Sequence, residues 1–170
     1  EYRRLHGVVP GSESPELRYA LRMADLRRDV LLDLAHEIGE DIAKMEANAS
    51  IHENPEDVGG RLRSYLGITV DQQMAWTSSH QALAQWRAAA ESKGVLVFQT
   101  PGLRLEEMRA VSIPKNPLPV ILLNTKDAAP QGRIFSLVHE LAHLWLLRGG
   151  HEVSDQERAM PLEQQATEIF

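Results

Sequence analysis

The sequence contains no cysteine. This absence excludes a disulfide framework, a CxxC redox centre and any metal site built on thiolates. No stretch reaches the ~18 consecutive apolar residues that a membrane-spanning helix needs. The chain also lacks a glycine-rich phosphate loop and a Gly-x-Ser-x-Gly nucleophile motif. We therefore expect a soluble, cytoplasmic protein without a membrane partner.

Positive charge is also scarce. The chain has 18 lysines and arginines against 24 acidic residues, which gives a net charge of −6. Direct binding to nucleic acid needs clustered cations, so we expect no nucleic-acid partner for this chain. With 170 residues, 43% of them hydrophobic, the chain can bury a core without help from a metal. It starts at Glu1 without methionine and stops at Phe170 inside a helical pattern, so we expect a piece of a longer protein.

Helical patterns dominate the first half of the chain. Apolar residues recur at steps of three, four or seven, and two of the segments open with a capping residue followed by proline. Helices are predicted over residues 15–48, as one helix or as two with a break near Gly39, and over 55–66 and 79–92. We assign residues 1–93 to a helical N-terminal lobe.

The pattern changes after residue 93. Short β-branched or apolar runs bounded by turn residues predict strands at Val95–Phe98, Met108–Ile113 and Pro119–Asn124. A strongly apolar helix follows over residues 130–148, and another is predicted from Pro161. The fold class is therefore α+β, with a small sheet of about three strands in a second domain over residues 94–170.

One motif in the apolar helix is typical of a catalytic metal site, the HExxH of residues 139–143. Two histidines four residues apart lie on the same helix face, so His139 and His143 can both reach one Zn²⁺. Glu140 lies beside them and can act as the general base towards a water molecule. In the alternative interpretation, both histidines are hydrogen-bonded core residues. The apolar surroundings favour the metal, because burying two imidazoles and a carboxylate is costly unless partners satisfy them.

A catalytic zinc site needs a third protein ligand. Without cysteine this ligand is His, Asp or Glu, and an acid on the next helix is the simplest solution. Spacing alone leaves Glu163 and Glu168 open. A second HExxE-like pattern starts at His36 and ends at Glu40, but acidic neighbours surround it and we interpret it as a solvated helix face.

The segment RIFSLVHELAHLW, residues 133–145, resembles the active helix of the ImmA/IrrE family of zinc metallopeptidases. The preceding segments ESKGVLVF and PVILLN resemble this family as well. A later helix of the family supplies a glutamate within the pattern E-x-x-(A/C)-N-x-x-A. The resemblance implies that Glu168, which opens the similar segment TEIF, is the third ligand rather than Glu163.

The same resemblance implies a function. It predicts a zincin-like lobe whose HExxH helix holds zinc through His139, His143 and Glu168, with Glu140 as the catalytic base. Family members are thought to cleave a helix-turn-helix repressor and so derepress genes of mobile elements or stress responses. The alternative is a regulatory or sensor module that binds a partner protein without proteolysis, its metal structural or absent.

Overall fold

The computed structural model describes residues 13–46, 49–50 and 52–148. Within these ranges it contains five helices and three strands. In chain order they are α1 (Pro15–Ile38), α2 (Pro55–Leu66), α3 (Val70–Ala75), α4 (Ser79–Ser92), β1 (Leu96–Thr100), β2 (Ala110–Ile113), β3 (Val120–Asn124) and α5 (Pro130–Arg148). No helix in this part of the chain is long and apolar enough to cross a bilayer.

Local signals fix both ends of α1. The Ser14 side chain accepts a hydrogen bond from the Leu17 amide, and proline occupies the first turn. Gly39 adopts the left-handed conformation (φ 68°), and the Glu40 amide donates back to the Ala35 carbonyl at 2.9 Å. The helix therefore ends at Ile38, and the helical continuation predicted beyond Gly39 is wrong for residues 40–46, which contain no helix.

The helices α2 and α4 begin and end close to the predicted residues, whereas α3 was missed. None of the six residues of α3 is buried, so it lacks the apolar periodicity that reveals a helix. Its signal is a capping box, in which Thr69 and Gln72 satisfy each other's backbone amides. A short helix can therefore form at the surface through its cap alone.

The three predicted strands form one mixed sheet in the order β1-β3-β2. The central strand β3 is parallel to β1 and antiparallel to β2, and all five of its residues are buried. An uninterrupted buried strand explains why residues 120–123 are apolar without alternation. The α+β class and the small three-stranded sheet are thus confirmed.

Each face of the sheet contributes to a different apolar core. On one face, Val120 and Leu122 pack with the N-terminal half of α1. On the other face, Ile121 and Leu123 pack with residues of α2, α4 and α5. The helix α5 packs against α4 and against β2 and β3, and α4 also contacts β1. The division into domains at residue 93 stays a prediction.

Candidate metal centre

The helix α5 carries the HExxH motif and is buried along most of its length. Its apolar residues face the sheet on one side and the helices α2 and α4 on the other. These buried residues are Ile134, Leu137, Val138, Leu141, Ala142, Leu144, Trp145 and Leu146. Such packing fixes the rotation of α5 about its axis, and with it the directions of the polar side chains of the motif.

His139 and His143 meet on one face of α5. Their Nε2 atoms are 2.9 Å apart, their ring centroids are 4.5 Å apart, and the two rings are nearly perpendicular. His143 is buried at 3% exposure, whereas His139 is half-buried. The two imidazoles therefore converge on one point at the rim of the core.

The distance between the nitrogens suits a shared zinc ion. Two tetrahedral ligands at 2.0–2.1 Å from zinc are roughly 3.3–3.4 Å apart, so the pair would have to open by only about 0.5 Å. Two neutral imidazoles are also donors that zinc prefers. The two residues fit the metal that the sequence predicted.

Phe135 extends the row of rings towards solvent. It lies one turn before His139, and the two rings stack with centroids 6.1 Å apart and an angle of 27° between their planes. Phe135 is 39% exposed. The rings of Phe135, His139 and His143 thus lead from the surface of α5 into the protein.

Glu140 follows His139 directly, and its side chain is 7% exposed. A carboxylate at this depth is costly unless neighbouring groups compensate for its lost hydration. Its place in the chain, between the two histidines, puts the carboxylate one residue away from the imidazole pair. The structure therefore brings His139 and His143 together and shows Glu140 as a buried neighbour on the same helix, while its role stays a prediction.

The fourth predicted residue, Glu168, lies outside the described residues, as does its competitor Glu163. Within the part of the chain that the structure describes, no three His, Asp or Glu side chains come close enough to hold a metal ion. The second HExxE-like pattern does not form such a group either. His36 and Glu40 are both exposed, and the α1 cap at Gly39 lies between them. The third ligand stays a prediction.

Two contacts hold α5 in place on either side of the motif. Near its first turn, the Asp127 carboxylate lies against Gly132, where an added Cβ would come within 2.6 Å of Oδ2. The same carboxylate pairs with Arg109 at 3.2 Å. Beyond the motif, the Trp145 indole donates a hydrogen bond to the Glu46 carbonyl at 2.8 Å. Both ends of α5 are therefore held by contacts with other parts of the fold.

The sheet edge next to α5 is a feature that the sequence did not assign. The strand β2 lies at an edge of the sheet, and α5 packs against it. Val111 and Ile113 of β2 pack on the α1 side, so Ala110 and the buried Ser112 face α5. The alternation of Val, Ser and Ile is the signal for this orientation, although it cannot show that β2 is an edge strand.

Comparison with known proteins finds a family match in the second half of the chain. Residues 90–169, slightly less than half of the chain, match the family Peptidase_M78, described as the IrrE N-terminal-like domain. The matched region includes the three strands and α5, and its class is metallopeptidase-like. This match agrees with the resemblance to the ImmA/IrrE family seen in residues 133–145. No curated protein and no solved structure gives a significant match.

Proposed function

We propose that this protein is a zinc-dependent endopeptidase of the ImmA/IrrE type. The observation that carries the proposal is the convergence of the His139 and His143 Nε2 atoms, 2.9 Å apart, on the buried helix of a Peptidase_M78 region. A core histidine pair alone would not explain why the same helix turn also carries a buried glutamate. The zincin-like architecture of this lobe is part of the proposal.

The zinc ligands are His139, His143 and Glu168, the last of these through the family resemblance. Once bound, zinc would polarise the scissile carbonyl and lower the pKa of a water molecule in the site. The packing of α5 against α4 and the sheet holds the two imidazoles in position before the metal arrives. Such preorganisation keeps the energetic cost of assembling the site low.

Glu140 is the general base of the proposed reaction. It would accept a proton from the water that attacks the peptide carbonyl and deliver this proton to the nitrogen of the leaving amine. The burial of Glu140 suits this role, because a water-poor environment strengthens the electrostatic interactions of a carboxylate. The same carboxylate would thus serve as base and then as acid.

The substrate is a protein segment in extended conformation. The edge strand β2 supports this proposal, since an extended peptide can add to a sheet edge through backbone hydrogen bonds. Its position against α5 would bring such a peptide near the rings of Phe135 and His139. The family resemblance suggests a cytoplasmic helix-turn-helix repressor as this substrate, with derepression of its target genes as the result.

The Glu140→Gln variant tests the proposal. We expect it to keep zinc, measured by elemental analysis, and to lose at least about 10²-fold in kcat/KM. The probe is a proteome-derived peptide library read by mass spectrometry. Glu106→Gln is the matched control, because Glu106 is exposed on the loop before β2. His139→Ala and His143→Ala should each lose zinc, while the double variant His36→Ala/Glu40→Ala should keep it.

Two results would contradict the proposal. If Glu140→Gln cleaves the library as fast as the wild type, Glu140 is not the base. If the zinc-loaded wild type cleaves nothing and Glu140→Gln derepresses the target genes normally in cells, the chain acts as a partner-binding module. Loss of cleavage in Glu106→Gln would indicate a general loss of folding rather than a catalytic role.

A further inference from the structure

The helix α1 carries a second apolar row that the sheet does not cover. Tyr19, Met23, Leu26 and Val30 follow each other at steps of four, three and four residues, the spacing of a coiled-coil seam. Tyr19, Leu26 and Val30 are 66%, 54% and 56% exposed, and Met23 is half-buried. We call these four residues the outer row of α1.

The outer row is distinct from the side of α1 that faces the protein. The buried side consists of Leu17, Ala20, Leu21, Ala24 and Arg28, and all but Arg28 pack in the core of the sheet. At 100° per residue, the outer row lies well over a quarter turn around the helix from the centre of this buried side. An exposed apolar row of this length is typical of a surface that another helix covers.

Charged residues along one flank of the outer row indicate which helix fits. Arg18 and Arg22 lie on this flank in the N-terminal half of α1, and Asp29 and Asp33 lie on the same flank in the C-terminal half. All four are exposed. Asp29 is oriented by a hydrogen bond from Arg28 at 2.7 Å. The flank therefore changes from positive to negative along the helix.

We propose that the outer row binds the outer row of a second copy of this chain, with the two α1 helices antiparallel. In a parallel pair, this flank would face the opposite flank of the second copy, where Arg22 would lie near Arg27, a repulsive contact. In the antiparallel pair, Arg22 faces Asp29 and Arg18 faces Asp33 of the second copy. The two-fold axis generates each of these contacts twice.

The same register pairs the apolar residues. With Arg22 opposite Asp29, Met23 meets Leu26 and Tyr19 meets Val30 of the second copy. All four members of the outer row thus lose their exposure to water together. The register satisfies apolar and charged residues at once, which supports a single arrangement.

A hollow beside α1 extends this complementarity. It has a volume of about 520 Å³ and lies between the start of α1 and the end of β1. Its lining includes Pro15, Tyr19, Pro101 and Leu103. In the antiparallel pair, Leu34 of the second copy lies opposite Pro15, at the mouth of this hollow. Leu34 is 49% exposed in the single chain, and the apolar part of the hollow would shield it from water, beside the charged Glu16 and Arg27 of the same lining.

Charge exchange tests the pairing. Sedimentation equilibrium of the whole chain should show a reversible dimer, and Arg22→Glu and Asp29→Arg should each weaken it about 10- to 30-fold, since each reverses two ion pairs. The double variant Arg22→Glu/Asp29→Arg should restore the dimer. Arg61→Glu, at an exposed site on α2 at the other face of the sheet, changes the net charge by the same amount as Arg22→Glu and should have no effect on the dimer.

Cysteine crosslinking tests the direction. The wild-type chain has no cysteine, so Arg22→Cys/Asp29→Cys should form a disulfide-linked dimer on oxidation, and Arg22→Cys alone should not. A dimer crosslinked by Arg22→Cys/Arg27→Cys and not by Arg22→Cys/Asp29→Cys would indicate parallel helices and overturn the proposal. A wild-type chain that is monomeric at all concentrations would overturn it as well, and would mean that another part of the same chain, or a different protein, covers the outer row.

Discussion

Gly94 is the position at which the smallest change should have a large effect on stability. It follows α4 directly and has a positive φ of 76°. A Cβ added here would come within 2.0 Å of the Ala43 carbonyl oxygen and 2.7 Å of its carbon. The segment of residues 40–46 therefore crosses the end of α4 so closely that only glycine fits.

The cost of Gly94→Ala has two parts. A residue with a Cβ loses roughly 1–2 kcal/mol in the left-handed region. The clash with Ala43 adds an overpacking cost of about 1–3 kcal/mol, because backbone atoms and not a flexible side chain must move. We expect the free energy of unfolding to fall by about 2–5 kcal/mol in total.

Gly67→Ala is the matched control for this prediction. Gly67 also ends a helix with a positive φ, 71°, but no atom lies within 4 Å of its added Cβ. Its variant should lose only the conformational part, about 1–2 kcal/mol. Urea unfolding followed by tryptophan fluorescence measures both variants. Equal losses would refute the steric argument for Gly94.

Two other predictions concern the ligand set and pH. Glu168→Gln should lower zinc affinity about 10²-fold or more, measured by metal titration, and Glu163→Gln should leave it unchanged. A loss of affinity in Glu163→Gln alone would identify Glu163 as the third ligand. The Ser50 amide and the Arg61 guanidinium hold the pKa of Glu53 below its usual 4.5. Its stabilising contribution is therefore present above pH 4.5 and lost as pH falls through the lowered pKa. Glu53→Gln should remove this part of the dependence of the unfolding free energy on pH, and an unchanged profile would contradict it.

Local chemistry made several features of this fold predictable. Capping residues and proline place the starts of α1 and α2, and glycine with positive φ ends both helices. The convergence of His139 and His143 follows from their i, i+4 spacing, since helix geometry alone brings such side chains together. These features depend only on residues close in sequence.

Features that depend on distant residues were not predictable. The sequence predicted one apolar row along α1, which includes Leu31, Leu34 and Ile38, yet these three are 38%, 49% and 63% exposed. The reason is length: α1 is 24 residues, ~36 Å, whereas strands of five residues span only ~17 Å. The strand order also depends on tertiary packing, so β2 could not be identified as the edge beside α5.

Consecutive residues of β3 pack into different cores on the two faces of the sheet. Leu122 belongs to the core under α1, and its neighbour Leu123 belongs to the core that holds α5. Substitutions at Leu122 thus affect the packing under α1 first, and substitutions at Leu123 affect the packing of α5 first. The α1 side can therefore be changed by substitution without direct contact with the core that supports His139 and His143.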